Sequence, residues 1–316
     1  MRILVTGATG FIGRPLLRRL AGDPAFTVRA AVRKSIAADA QAIDVVTVGD
    51  IGPDTDWSRA VAGIDVVIHL AARVHVMRET AGDPLAEFRR VNVAGTESLV
   101  RRAAAAGVRR IVYASSVKVN GDRGRFTEAD APAPVGPYGV SKAEAEALIR
   151  RLAAECGVEA VIIRPPLVYG PGVKGNFRSL MRAIEKGIPL PLGGIENRRS
   201  LVAVDNLVDF IITCTTHPAA AGETFLVSDG EDISTTALIR RLADAMGGPP
   251  RVFHVPAALL RTGARLVGRL PEVQRLLETL EVDVSKARRR LGWRPPLSVT
   301  AGLARIVNST TLRAGK

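Results

Sequence analysis

Six short runs, almost wholly apolar, recur through the first part of the chain at 2–6, 27–32, 44–48, 65–70, 110–115 and 159–164. Stretches of helical periodicity fill most of the intervals, at 12–21, 56–62, 84–106 and 138–155. A strand that is apolar along its length is buried on both faces, and strands joined through helices run parallel. The alternation therefore predicts an α/β fold with a doubly wound parallel sheet. The rhythm loosens after Tyr169-Gly170-Pro171-Gly172, where Pro and Gly become denser and helical patterns remain at 177–186, 205–216 and 235–246. The expected organisation is a sheet domain over 1–170 and a smaller C-terminal substrate-binding lobe over 171–316, with about 200–230 returning to the sheet.

The first strand runs into Thr6-Gly7-Ala8-Thr9-Gly10-Phe11-Ile12-Gly13, with glycines three apart. Gly7 permits a tight turn, Gly10 lets backbone approach a pyrophosphate, and Gly13 lets the following helix pack on the strand. A Gly-rich turn between a strand and a helix is the context that gives such a motif weight. Gly7, Thr9, Gly10, Phe11, Ile12 and Gly13 are thus candidate dinucleotide contacts. The second strand ends in Val32-Arg33-Lys34, with no carboxylate to hold a ribose 2′-hydroxyl. Arg33 and Lys34 suit a 2′-phosphate, so NADP(H) is the expected cofactor, with NAD(H) the alternative. Asp50 and Ile51, after the third strand, are placed to flank an adenine.

Tyr138 and Lys142 lie four residues apart at the start of a helix, hence on one face. A nearby ammonium favours a phenolate, which suits Tyr138 to proton transfer with an alcohol oxygen. Ser116, at the end of the fifth strand, is placed to hydrogen-bond the same oxygen.

The net charge is +13, yet the arginines come in scattered pairs such as Arg18-Arg19, Arg101-Arg102 and Arg150-Arg151, and only 4% of residues are aromatic. Nucleic-acid grooves interleave basic and stacking residues, so no nucleic-acid partner is expected. The two cysteines, Cys156 and Cys214, lack metal-type spacing and read as free thiols of a cytoplasmic protein, with no metal. Neither a signal peptide nor a bilayer-spanning run is read from the sequence. Arg261, Arg265 and Arg269 recur beside Leu259, Leu260, Leu266, Val267 and Leu270. That pattern is expected to be a helix of the small lobe with its charged face in water, and no membrane partner is expected.

Together these residues resemble the extended short-chain dehydrogenase/reductase family, in its nucleotide-sugar epimerase/dehydratase branch. The resemblance covers nearly the whole chain: 6–13, His69-Leu70-Ala71-Ala72, Asn92 in Val91-Asn92-Val93, Ser115-Ser116, Tyr138/Lys142, Val168-Tyr169-Gly170-Pro171, 199–207 and 283–287. It implies a Rossmann-type domain binding NAD(P), a lobe binding a UDP-sugar, a homodimer, and catalysis by Ser116, Tyr138 and Lys142. It also implies that Leu70, Ala71, Ala72 and Asn92 border the cofactor. Asn176, with Phe177 beside it, and Arg199 match the holders of the substrate diphosphate. Leu190 and Leu192 match a nucleobase wall, and Arg275 a second phosphate contact. Two positions depart from the branch pattern: Asn120 stands where a Tyr is usual, and Leu167 where an Asn is usual. Lys118, Asn120 and His75 then become sugar-recognition candidates. Lys118-Val119-Asn120-Gly121 resembles reductases of UDP-4-keto-6-deoxy-N-acetylhexosamines of surface-polysaccharide synthesis. The expected reaction is hydride transfer at C4, with a 4-ketoreductase preferred and a UDP-hexose 4-epimerase as the alternative. A non-catalytic NADP-sensing regulator is the rival of another class.

Overall fold

The computed structural model describes residues 1–34, 43–74 and 82–314, so His75 lies outside the described residues. In chain order the strands are β1 (Arg2–Thr6), β2 (Thr27–Val32), β3 (Ile43–Thr47), β4 (Val66–His69), β5 (Arg110–Ala114), β6 (Gly124–Phe126), β7 (Glu159–Arg164), β8 (Leu167–Tyr169), β9 (Arg199–Ala203), β10 (Thr224–Leu226), β11 (Asp232–Ile233) and β12 (Leu280–Val282).

Seven of them form one sheet in the order β10-β7-β5-β4-β1-β2-β3. All its pairings are parallel; Ile3, for example, is flanked by Val28 of β2 and Val66 of β4. The six apolar runs are β1–β5 and β7; β1, β2, β4, β5 and β7 are largely buried, whereas the edge strand β3 is only half-buried. One face is covered by helices Gly13–Ala21 and Val204–Thr216, with Leu16, Leu20, Phe210 and Ile211 in the core. The other is covered by Gly95–Ala105 and Gly136–Cys156, through Leu99, Ala103, Ile149 and Leu152. This is a Rossmann-like doubly wound fold. From β1 the chain winds outward to β2 and β3, then crosses to β4 on the other side. The crevice of such a sheet opens at that switch point.

Two expected helices differ in detail. The stretch 84–106 is a helix Pro84–Arg89, a π turn Arg90–Ala94 and a helix Gly95–Ala105. Gly95 explains the tight packing there, because a Cβ on it would stand 2.6 Å from the Ile51 side chain. The expected helix at 56–62 is only the turn Ser58–Val61.

A second, mixed sheet has the order β11-β9-β12-β6, and β8 pairs with β9. Strand β6 lies between Ser116 and Tyr138 in the chain, so the loop after β5 is carried into this second sheet. That places Lys118 opposite residues of β9 and the segment before β12.

Candidate active site

The glycine turn sits at the switch point. Gly7 has φ +66°, and a Cβ there would stand 2.8 Å from the Ala71 nitrogen. The Gly10 N–H donates to the Gly7 carbonyl at 2.9 Å and closes the turn. Gly13 is the most constrained: its Cβ would meet the Gly7 and Ala8 carbonyl oxygens at 2.2 and 2.7 Å. Thr9 and Gly10 are exposed, and Phe11 and Ile12 half-buried, so a ligand reaches backbone at the mouth of the crevice. Phe11 also packs against the C-terminal core around Tyr169 and Phe177. The cradle therefore fits a dinucleotide pyrophosphate, in a space that a side chain would fill.

A buried chain joins the ends of β1 and β4. Thr96 Oγ1 donates to the Asn92 carbonyl at 2.8 Å, so it accepts from His69 Nε2 at 3.0 Å. His69 Nδ1 then accepts from the Thr6 hydroxyl at 2.7 Å, and that hydroxyl accepts the Ala71 N–H at 3.2 Å. Burial lowers the His69 pKa to about 3, so the ring is neutral and works as a fixed brace. Leu70, Ala71 and Ala72, held by it, remain half-exposed at the crevice.

Gly13→Ala is expected to force the first helix off β1. The cost should be about 1–3 kcal/mol, the usual penalty for overpacking, with loss of dinucleotide affinity. Thermal melts and a dinucleotide titration check it; wild-type values in both would contradict the cradle.

Beyond β2, Arg33 Nε lies 3.3 Å from Asp50 Oδ1, and both side chains are largely exposed. Lys34 is exposed as well. The basic pair expected to receive a 2′-phosphate is thus partly neutralised by the residue expected at the adenine. Ile51 packs half-buried against Gly95 and the helix core.

Asn92, expected to border the cofactor, has a bracing part in the described structure. It is 1% exposed and its amide is fully engaged: Nδ2 donates to Ser141 Oγ and the Arg73 carbonyl, both at 3.0 Å, and Oδ1 accepts the Arg73 N–H at 2.7 Å. Ser141 Oγ in turn donates to the Tyr138 carbonyl at 2.9 Å. Asn92, set in the π turn, clamps the segment after β4 to the helix that carries Tyr138.

At the end of β5 the two serines part ways. Ser115 is buried and donates to Glu146 at 2.5 Å. Ser116 is half-exposed, accepts the Lys118 N–H at 3.2 Å, and lies close enough to the Tyr138 hydroxyl to act on its pKa. Burial pushes the Tyr138 pKa up to about 12, and the Ser116 hydroxyl opposes that rise. Phe88 packs edge-on against the Tyr138 ring, with centroids 6.1 Å apart.

Lys142 shares the helix face of Tyr138, but its ammonium donates to the Ala114 carbonyl at 2.7 Å and the Tyr113 hydroxyl at 3.1 Å. It also lies 4.4 Å from the Tyr113 ring centre. Burial draws the Lys142 pKa down to about 7, and Glu146 one turn further along works against that shift. Tyr113, Glu146 and Arg164 were not among the sequence candidates. Only Glu146 carried a signal, its i, i+4 spacing from Lys142.

Lys118 feels the charges of Arg199 and Arg275, opposed by those of Asp122 and Glu278, and burial lowers its pKa. Arg199 is half-buried, its pKa also lowered by burial, and it donates to the backbone carbonyls of Arg275 at 2.5 Å and Glu278 at 3.2 Å. Lys118, two residues after Ser116, thus lies within electrostatic reach of Arg199 and Arg275, which come from two separate segments. Arg198, by contrast, is exposed and paired with Glu281 and Asp232.

Three substrate candidates are buried among protein partners. Asn120 is 2% exposed; its Oδ1 accepts from Arg164 at 3.1 Å and its Nδ2 donates to the Thr127 carbonyl at 3.3 Å. The bond to Arg164 ties the loop after β5 to β7. Phe177 is buried and stacked on Tyr169, with centroids 5.9 Å apart. Leu192 is buried with Ile195 and Ile239. Asn176, in the first turn of helix Gly175–Glu185, is exposed, and Leu190 is half-buried in a bridge with Val252.

The family model described as the NAD dependent epimerase/dehydratase family matches residues 3–228. The chain belongs to that family. A UDP-glucose 4-epimerase of Vibrio cholerae is 45% identical over 305 residues, spanning 95% of this chain and 92% of the relative. A solved complex of MoeE5 with UDP-glucuronic acid and NAD is 27% identical, with a TM-score of 0.80 over 99% of this chain and 100% of the other. DesIV of Streptomyces venezuelae, a dTDP-glucose 4,6-dehydratase with NAD and DAU bound, is 29% identical, with a TM-score of 0.79 over 100% and 98%. Membership in this family of epimerases and dehydratases makes the Ser116–Tyr138 crevice the place to look for chemistry.

Proposed function

We propose that the protein transfers hydride at C4 of a UDP-linked hexose, and that it is an NADPH-dependent 4-ketoreductase of a UDP-4-keto-6-deoxy-N-acetylhexosamine. The observation that supports the substrate class is that Lys118, two residues along the chain from Ser116, feels the positive charges of Arg199 and Arg275. Asp122 and Glu278 offset these cations only in part, and a guanidinium fork suits the oxygens of a nucleoside diphosphate. Asn176 and Leu190 are the remaining candidates for the diphosphate and the base.

The dinucleotide, when bound on the glycine turn, supplies the hydride. Ser116 and Tyr138 bind the C4 oxygen between their hydroxyls, and Tyr138 gives that oxygen its proton. A phenol kept protonated up to about pH 12 is set as a donor at neutral pH. The phenolate left behind takes a proton back from solvent, and a charged Lys142 on the same helix face would favour it until then. Arg33 and Lys34, without a carboxylate at the end of β2, support NADPH.

A second reading, a UDP-hexose 4-epimerase with tightly held NAD, is favoured by the Vibrio cholerae relative and by the pairing of Arg33 with Asp50. One experiment separates them. Protein is given NADPH and a UDP-4-keto-6-deoxy-N-acetylhexosamine in one tube, and UDP-glucose or UDP-N-acetylglucosamine without added cofactor in another. Stoichiometric NADPH loss in the first supports the reductase. Exchange of C4 epimers in the second, with no NADPH loss in the first, supports the epimerase. Inactivity in both would leave the non-catalytic sensor.

Arg199→Ala is expected to weaken UDP binding by about 1.5–3 kcal/mol, the worth of a charge-assisted contact, and to leave NADPH binding nearly unchanged. Separate calorimetric titrations decide it; equal losses for both ligands would make Arg199 a structural residue.

A further inference from the structure

The helix Ala257–Leu266 carries its apolar side chains outward. Leu259 is 63% exposed and Leu266 is 83% exposed; Val267, at the end of the helix, is 69% exposed. Leu259 and Leu266 are seven residues apart, so they share one face, with Thr262 between them. Only Ala264 is buried, and Leu260 is half-buried against the lobe. Phe253, just before the helix, is 50% exposed. The expectation for this helix was that water would meet its charged side; the structure sends leucine there too.

Arg261 and Arg265, one turn apart, form a second face roughly 100–160° around the helix from the leucines, and Arg269 follows the helix; all three are exposed. Among the described residues none of the three is in an ion pair, whereas Arg198, Arg241 and Arg290 each have a carboxylate partner. An outward apolar stripe with a separate face of unneutralised arginines is the pattern of a helix that lies in a membrane interface. We propose that this helix docks the protein on an anionic phospholipid surface, with Leu259 and Leu266 entering the headgroup boundary and the arginines meeting lipid phosphates.

Charge selects this occupant. A second copy seated on the same face through a two-fold axis would bring the two arginine rows towards each other. An anionic bilayer neutralises them, and the chain's +13 net charge adds long-range attraction of the same sign. The neighbouring helix Leu270–Leu277 packs against this one and carries Arg275, within electrostatic reach of Lys118. The docked face therefore lies beside the candidate diphosphate site. The proposal stands independently of which C4 reaction is catalysed.

The test is sedimentation of the full chain with vesicles of phosphatidylcholine alone and of phosphatidylcholine mixed equally with phosphatidylglycerol, at low and high salt. The protein is expected to sediment with the mixed vesicles at low salt and not with the neutral ones. Arg261→Gln/Arg265→Gln should weaken partition about fivefold per arginine removed. Leu259→Ser/Leu266→Ser should abolish it, and both variants should keep the circular dichroism and UDP affinity of the parent. Failure of the parent to sediment with mixed vesicles would overturn the proposal. So would undiminished binding by the leucine variant, or a concentration-dependent dimer that this variant abolishes.

Discussion

Tyr138→Phe is expected to lower turnover at least ~100-fold, the lower end for lost acid–base catalysis, while folding and UDP affinity stay close to the parent. The substitution removes one hydroxyl, and the ring that packs on Phe88 stays in place. What is lost is the hydroxyl that lies beside Ser116. Lys142→Met should cost a similar factor, but with a structural component. Lys142 Nζ ties the Tyr138 helix to β5 through the Ala114 carbonyl and the Tyr113 hydroxyl. The two variants therefore differ in a second readout: Tyr138→Phe melts with the parent and Lys142→Met melts below it. Single-turnover rates with saturating cofactor and substrate make the comparison. Parent-like turnover in Tyr138→Phe would sink the proposed mechanism.

The parts of the fold that were legible are those where one segment alone carries the signal. The strands β1, β2 and β7 fall on 2–6, 27–32 and 159–164, as read from unbroken apolar runs. The glycine turn was equally plain, because its constraint is local: Gly13 has no room for a Cβ against the carbonyls of Gly7 and Ala8. The two- and three-residue strands of the second sheet were not legible, since so short a strand has no period to detect. The π turn at Arg90–Ala94 was hidden inside a good helical pattern.

Side-chain partners were not legible where a distant segment supplies them. Asn120 is held by Arg164, 44 residues along the chain on β7. Asn92 spends its amide on Arg73 and Ser141. Ser115 and Ser116 are chemically identical in the sequence, and only burial against Glu146 separates them. The convergence of Lys118 with Arg199 and Arg275 likewise appears only once β6 has joined the second sheet.

Arg164→Met is expected to lower the free energy of unfolding by about 3–5 kcal/mol, the usual cost of removing one partner from a buried ion pair. Arg164 and Glu146 are both almost fully buried, and they are joined by two hydrogen bonds, of 2.9 and 2.6 Å. The methionine fills much of the volume but leaves Glu146 charged in the interior. Only Ser115 at 2.5 Å and the edge of Arg150 at 3.4 Å remain to it. Asn120 loses its Oδ1 donor in the same step, which adds a second unsatisfied polar atom. Replacing both partners, as in Glu146→Leu/Arg164→Met, should recover much of the loss, because an apolar pair of similar volume carries no stranded charge. The pair also bears on the chemistry. Glu146 sits one turn beyond Lys142 and favours its charged form, so the double variant should fold yet hold Lys142 neutral to a lower pH. Urea melts of the parent, both single variants and the double variant close the cycle. A loss below about 1 kcal/mol in Arg164→Met would mean that water already reaches Glu146, and that the pair does not brace the floor of the site.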